Sequence, residues 1–232
     1  MKIYSGNKFH IKCYLQEPNP IKEDCIVFTC KSNGILTPLF AKILGLSTAR
    51  YWTGNDAWKY LNVWHYWLRA KIINLFFDKH YFIASHMQVL TGEVRTITTP
   101  LMRAERKEKE PCIHFRVAYY EAEGSYVDRY GLNMIERLME IFPDFKWIAI
   151  KPNQYSESEM YELYHNLDLY IRPSTWDGDP FMVREALHFG VPTISTFSSD
   201  KFNIQLSPNN IEHWIREIKY IYKDWKIEMM EK

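Results

Sequence analysis

The stretch from Asp168 to Phe197, DLYIRPSTWDGDPFMVREALHFGVPTISTF, decides the fold of this chain. Residues 169–171 are a short apolar run, and 173–178 are dense in turn formers. Residues 181–189 carry apolar side chains at helical spacing, which Gly190 ends, with Pro192 shortly after. Residues 191–196 then predict a buried, β-branched strand. Two strands joined through a helix lie parallel, with the helix as a right-handed crossover. Open α/β sheets bind ligands in the loops at the carboxyl ends of such strands.

The loop between strand and helix brings together Asp177, Gly178 and Asp179 with the backbone N–H groups that open the helix, a setting that favours anions such as phosphate. Glu185 stands eight positions after Asp177. Because the helix begins only near Phe181, Glu185 falls in its second turn while Asp177 stays in the loop, so the two can meet different parts of one ligand. From spacing alone, a surface carboxylate at 185 and a cap at 177 are equally open readings.

The 232 residues suffice for two small domains or one large one, and 47% apolar with 25% charged residues is ordinary globular composition. A net charge of +1 gives no reason to expect a nucleic-acid partner. The cysteines at 13, 25, 30 and 112 follow no metal spacing, and the eight histidines show no HExxH-type pairing, so no metal site is expected. No signal-peptide core and no run of roughly 20 apolar residues is present, which predicts a cytoplasmic location.

Outward from the central stretch, residues 1–14 predict a strand or hairpin, 24–29 a buried parallel strand, and Thr37-Pro38 the start of a helix that Gly45 closes. Residues 48–52 predict the next strand, which runs into Thr53-Gly54-Asn55-Asp56. Residues 57–77 predict one long helix, apolar around most of its circumference, suited to interdomain packing. Its mixture of Trp58, Trp64 and Trp67 with Lys59, Arg69 and Lys71 would also suit peripheral contact with a membrane. Residues 80–85 predict a strand. The charged, proline-flanked segment 94–112 is the best boundary, dividing the chain into domains 1–100 and 101–232. In the second half, strands are expected at 113–119 and 145–150, and helices at 131–142 and 156–166. Ser156 and Glu159 form a capping box for the latter.

The run DGDPFMVREALHFGVPTIS resembles the donor-binding signature of family-four glycosyltransferases of the GT-B fold: an acid, seven residues, a glutamate, then Gly-Val-Pro before a buried strand. Asp177 and Glu185 match the two acids, with Asp in place of the more usual first Glu. Pro180 stands where many members have glycine and supplies no backbone N–H. The resemblance extends to Trp52-x-Gly54, with Asp56, which is similar to the end of a strand at the family's interdomain cleft. It implies an α/β protein of two Rossmann-like, GT-B-type domains, the first one reduced because 23 residues before the strand at 24–29 leave little room for the early N-terminal units.

The resemblance further implies a metal-independent enzyme that moves a sugar from a nucleotide-diphosphate sugar, with retention, to an unidentified glycan, lipid or protein acceptor. No cofactor beyond the donor substrate is implied. Residue by residue, Glu185 would accept hydrogen bonds from ribose hydroxyls and Asp177 would contact donor-sugar hydroxyls. Arg116 and Arg129 would balance the diphosphate charge. Gly178, Asp179, Phe181 and Met182 would line the donor, and Gly54 and Asp56 the acceptor-side cleft. Two other expectations stay open: a nucleotide-sugar-binding protein without transferase activity, and a nucleotide-sugar epimerase on the same fold. The last helix carries Trp214, Ile218, Ile221, Tyr222 and Trp225 along one face. It is expected to return and cover the first domain, the alternative being a place in the outer layer of the second.

Overall fold

The computed structural model describes residues 2–4, 25–28, 36–52, 59–82, 93–94, 112–122, 128–177, 180–197 and 203–230. The chain divides into two compact units, the first Met1–Pro100 with Asp177–Asp179 and the second Leu101–Trp176 with Pro180–Lys232.

The first unit holds a parallel sheet of β1 (Lys2–Tyr4), β2 (Cys25–Phe28), β3 (Ser47–Trp52), β4 (Lys79–Phe82) and β5 (Glu93–Val94), in that spatial order. Of the strand or hairpin expected over residues 1–14, β1 is a strand, and it pairs in parallel with β2. Helix α1 (Leu36–Ile43) joins β2 to β3, and Gly45 at φ 70° closes it, in the left-handed conformation that glycine adopts without strain. Pro38 falls in its first turn, where an amide donor is not needed.

Successive right-handed crossovers stepping one way place their helices on one face of a sheet. Accordingly Ala41 of α1 shares a core with Phe28 of β2 and with Ile73 and Phe77, at and beyond the end of α2 (Trp64–Asn74). The single helix expected over 57–77 is interrupted: Val63 is extended at φ −125°, between helical residues 59–62 and α2. Trp64 is 77% exposed and Trp67 40%. No helix among the described residues is long and apolar enough to cross a membrane.

The second unit is a doubly wound parallel sheet of β6 (Arg116–Tyr120), β7 (Lys146–Ile150), β8 (Leu169–Arg172), β9 (Thr193–Ser195) and β10 (Ile204–Gln205), ordered β10-β9-β8-β6-β7. Helix α3 (Leu132–Ile141) follows β6, α4 (Glu157–Asn166) follows β7, α5 (Phe181–His188) follows β8, and α6 (Ile211–Met230) ends the chain. Side chains of a strand alternate between faces. Val117 and Tyr119 therefore join Leu169 and Ile171 in the core under α3 and α6, while Ala118 and Tyr170 join the core under α4 and α5.

Two sequence signals set these helices locally. Ser156 caps α4 through the expected box, its backbone N–H donating to Glu159 and its hydroxyl accepting from the Glu159 amide. Gly190 at φ 71° ends the turn after α5.

The apolar stripe of α6 has a different destination from the expected one. Trp214 and Ile218 are fully buried in the second unit's own core, and Tyr222 and Trp225 meet the Phe115 ring at 5.2 and 5.4 Å. A stripe of that size gains roughly 1.5–3 kcal/mol per large side chain by burial. That gain is taken on the second unit, so the face expected to cover the first domain is occupied here.

Candidate functional site

The chain leaves β6 for β7 on one side and then crosses back to β8 on the other, so the loops after β6 and β8 diverge at the carboxyl end of the sheet. That crevice is where doubly wound sheets take their ligands. The two loops are joined tightly. Arg129, in the short 3-10 turn Asp128–Tyr130, accepts at its carbonyl from the Thr175 amide at 2.8 Å. Gly131, which opens α3 at φ 75°, packs so close to Pro173 that a Cβ would lie 2.0 Å from its carbonyl oxygen.

Glu185 sits in the second turn of α5, half-buried, and the Tyr164 hydroxyl of α4 donates to its Oε2 at 2.9 Å. Burial raises the Glu185 pKa, the Tyr164 hydrogen bond partly offsets this, and Glu157 adds a smaller rise. Tyr164, fully buried, is held well above its ordinary pKa by burial and by the neighbouring carboxylate. It is therefore a fixed donor. Oε2 of Glu185 is thus held by a side chain of the neighbouring helix. Asp177, half-buried, lies on the loop after β8, so the two acids stand on different elements.

The two arginines singled out in the sequence part company. Arg129 is at the carboxyl-end crevice, with its Nη2 donating to the Tyr130 hydroxyl at 3.1 Å. Arg116 is at the wrong end. It is the first residue of β6, and its backbone N–H and Nε donate to Asp168 Oδ2 at 2.7 and 3.3 Å, with Nη1 3.4 Å from Asn166. Both partners of this ion pair are buried. Strands rise about 3.3 Å per residue, so the five residues of β6 put Arg116 more than 10 Å from the carboxyl edge. Arg116 is a structural clamp for the amino ends of β6 and β8, which corrects its assignment to the diphosphate.

Of the expected donor-lining residues, Phe181 is stacked by the Arg184 guanidinium at 5.2 Å, and Met182 accepts from the Tyr170 hydroxyl at 3.7 Å while packing on the α4–α5 core. Gly178 and Asp179 lie outside the described residues, as do Gly54 and Asp56. The strand leading to the latter pair ends at fully buried Trp52, whose Nε1 donates to His80 Nδ1 at 3.1 Å. Burial, helped by the Arg50 charge, lowers the His80 pKa to about 4. The ring is therefore neutral and can accept at Nδ1.

One residue at the crevice carries no mark in the sequence analysis. Arg172 closes β8, only 8% exposed, with its guanidinium 4.8 Å from the Tyr120 ring and 4.8 Å from the Tyr130 ring. A charge ending an otherwise apolar four-residue strand, LYIR, is the signal that could have found it. Among the described residues no group of three His, Cys, Asp or Glu side chains is placed to hold a metal ion. A cleft of about 390 Å³ opens at the amino end of the sheet, bordered by His165, Phe189, Asp224, Trp225 and Glu228, away from the crevice.

Solved structures with this topology include sucrose-phosphate synthase from Thermosynechococcus elongatus, at TM-score 0.62 and 13% identity over 87% of this chain and 65% of that one. OtsA in its apo structure matches at TM-score 0.62 and 9% identity, over 86% and 65%. The lipopolysaccharide outer core galactosyltransferase WaaB matches at 0.54 and 12%, over 92% and 69%. The fold is that of GT-B glycosyltransferases. The chain spans less than two thirds of the length of the synthase and of OtsA. No protein-family model matches it, and no curated protein sequence does.

Proposed function

We propose that the chain transfers a sugar from a nucleotide-diphosphate sugar to a glycan, lipid or protein acceptor, with retention and without a metal ion. The observation that carries this reading is Glu185, half-buried at the carboxyl end of a doubly wound sheet, its Oε2 fixed by buried Tyr164. A carboxylate so held is pre-oriented for the paired hydroxyls of a ribose. The second unit then takes the donor.

In the transfer, the bond from the sugar's anomeric carbon to the diphosphate oxygen breaks, a bond to the acceptor hydroxyl forms, and the leaving phosphate takes the acceptor's proton. Charge grows on the diphosphate, and Arg129 and the amides of the first turn of α5 stabilise it there. Asp177 contacts hydroxyls of the donor sugar. The neighbouring solved structures support the fold on which this chemistry is hung, and the paired acids Asp177 and Glu185 support the nucleotide-sugar donor.

A thermal-shift screen with UDP, GDP and ADP and their sugars tests the reading, since a ligand at 100 times its dissociation constant adds about 2.7 kcal/mol of stability. One nucleotide and its sugar are expected to bind, and Glu185→Ala to weaken both by about 1.5–3 kcal/mol. A folded Glu185→Ala protein with unchanged nucleotide affinity would overturn the assignment. Activity is expected to persist in excess EDTA; inactivation that magnesium or manganese restores would refute metal independence.

A further inference from the structure

Helix α2 is apolar on two opposite sides. Ala70 and Ile73 on its inner side are buried, and Arg50 of β3 ties that side down, its Nη1 donating to Asn74 Oδ1 at 2.7 Å and its Nη2 to the Tyr66 hydroxyl at 3.2 Å. At 3.6 residues per turn the opposite arc carries Trp64, Leu68, Lys71 and Ile72, with Leu75 just past the end of the helix. All five are exposed, Trp64 and Leu75 to 77% each. The outer arc of a surface helix is ordinarily its polar one. Here its one polar side chain is Lys71, whose Nζ lies 4.1 Å from the centre of the Trp67 ring.

The apolar surface continues at the same end of the first unit. Lys42 of α1 bonds Asp78, which sets the last turn of α1 beside the end of α2, and Ile43, Leu44 and Leu46 are exposed there. Soluble monomers rarely expose large apolar side chains in such a group. Charge decides what covers them. Neither helix contains an acidic residue, and residues 57–77 hold Lys59, Arg69 and Lys71 without one. A second copy seated face to face would set cation against cation. An anionic bilayer offers this face opposite charge at its surface and hydrocarbon beneath. Tryptophan settles at the headgroups of such a bilayer, and the long stem of a lysine lets its ammonium reach them from an apolar face.

We propose that the outer face of α2, with the turn that follows α1, docks on an anionic phospholipid surface. The helix lies along the headgroups, with Trp64, Leu68 and Leu75 sunk into the acyl boundary and Lys71 paired with lipid phosphate. This goes beyond the sugar-transfer reading and does not rest on it, because the surface belongs to the first unit and its binding is measured without nucleotide.

The experiment is co-sedimentation of the full chain with vesicles of phosphatidylcholine alone, and of phosphatidylcholine and phosphatidylglycerol in equal parts. The chain is expected to partition at least about 5-fold more strongly onto the mixed vesicles. Raised salt should release it. Trp64→Ser combined with Leu68→Ser is expected to lower partition at least about 10-fold on the mixed vesicles. Lys71→Glu is expected to lower it about 5-fold or more there and to change little on phosphatidylcholine. All three side chains are exposed, so the variants should melt as the wild type does; should the double variant not fold, Lys71→Glu decides. A wild-type chain that stays off the mixed vesicles overturns the proposal, as do folded variants that bind them unchanged. A dimer that the double variant breaks, in a chain that stays off vesicles, overturns it in favour of a second copy.

Discussion

The two ends of the second unit's sheet each bury an arginine, one beside a carboxylate and one beside aromatic rings. At the amino end Arg116 is neutralised by Asp168, which also accepts from the Arg116 amide, so charge and backbone are satisfied within the protein. At the carboxyl end Arg172 is lodged between two tyrosine rings. The ion pair at the amino end serves as a structural clamp for two strands, whereas the rings at the carboxyl end come from a strand end and a loop that border the crevice.

The sharpest way to break this contrast is to remove Asp168. Asp168→Ala leaves a buried guanidinium without its counter-ion, and loss of one member of a buried pair costs about 3–5 kcal/mol. Urea unfolding should read that loss. In the protein that remains folded, nucleotide affinity should be unchanged, because the clamp is at the other end from the crevice. A variant that keeps its stability but loses nucleotide would make Arg116 a ligand residue after all.

A smaller effect is expected at the carboxyl end. Gly131→Ala forces a side chain into a left-handed backbone and onto the Pro173 carbonyl. Together these should cost about 2–4 kcal/mol. Here ligand binding should fall as well as stability, since Gly131 packs the loop after β6 against the loop after β8. A destabilised variant with full ligand affinity would mean that this packing does not shape the crevice.

The difference between the ends also explains what was legible in the sequence. Local chemistry was readable: the Ser156–Glu159 box, Gly45 and Gly190 as helix stops, and the strand-loop-helix-strand order of 168–197 all appear as expected. Each is fixed by residues within a few positions of one another. Arg116 was misplaced because a strand expected at 113–119 begins instead at Arg116, and a shift of three residues moves a side chain from the body of a strand to its amino end. Its partner Asp168 is 52 residues away, at a distance where spacing says nothing.

The same holds for Arg172, whose rings come from Tyr120 and Tyr130 on another strand and loop. For α6, periodicity specified that one face must be buried, not which unit would bury it. Val63 interrupts the helix expected over 57–77 at a residue with no proline, glycine or cap to announce it.

The smallest expected effect probes the carboxyl end through its acid. Tyr164→Phe removes the donor to Glu185 Oε2 and leaves a buried acceptor unmet, at about 1–2 kcal/mol of stability. Its clearer signature is in pH. The Glu185 pKa is already raised, because burial outweighs the Tyr164 hydrogen bond. A carboxyl group with a raised folded pKa binds more protons folded than unfolded, so its ionisation weakens the fold as pH rises from the ordinary glutamate range through the folded pKa. Ligand binding runs the other way. On the proposed reading ribose hydroxyls donate to the carboxylate, so nucleoside affinity should fall as pH drops through that same raised pKa, and a nucleoside carries no phosphate to confuse the titration. Without the Tyr164 hydroxyl the offset is gone and the pKa rises further. Calorimetry of the bound nucleoside against pH should therefore show a midpoint above 4.5 in the wild type, higher in Tyr164→Phe, and no dependence on this group in Glu185→Gln. A midpoint that does not move in Tyr164→Phe would separate the titrating group from Glu185, and with it the ribose site from the one acid on α5 that the fold holds in place from beneath.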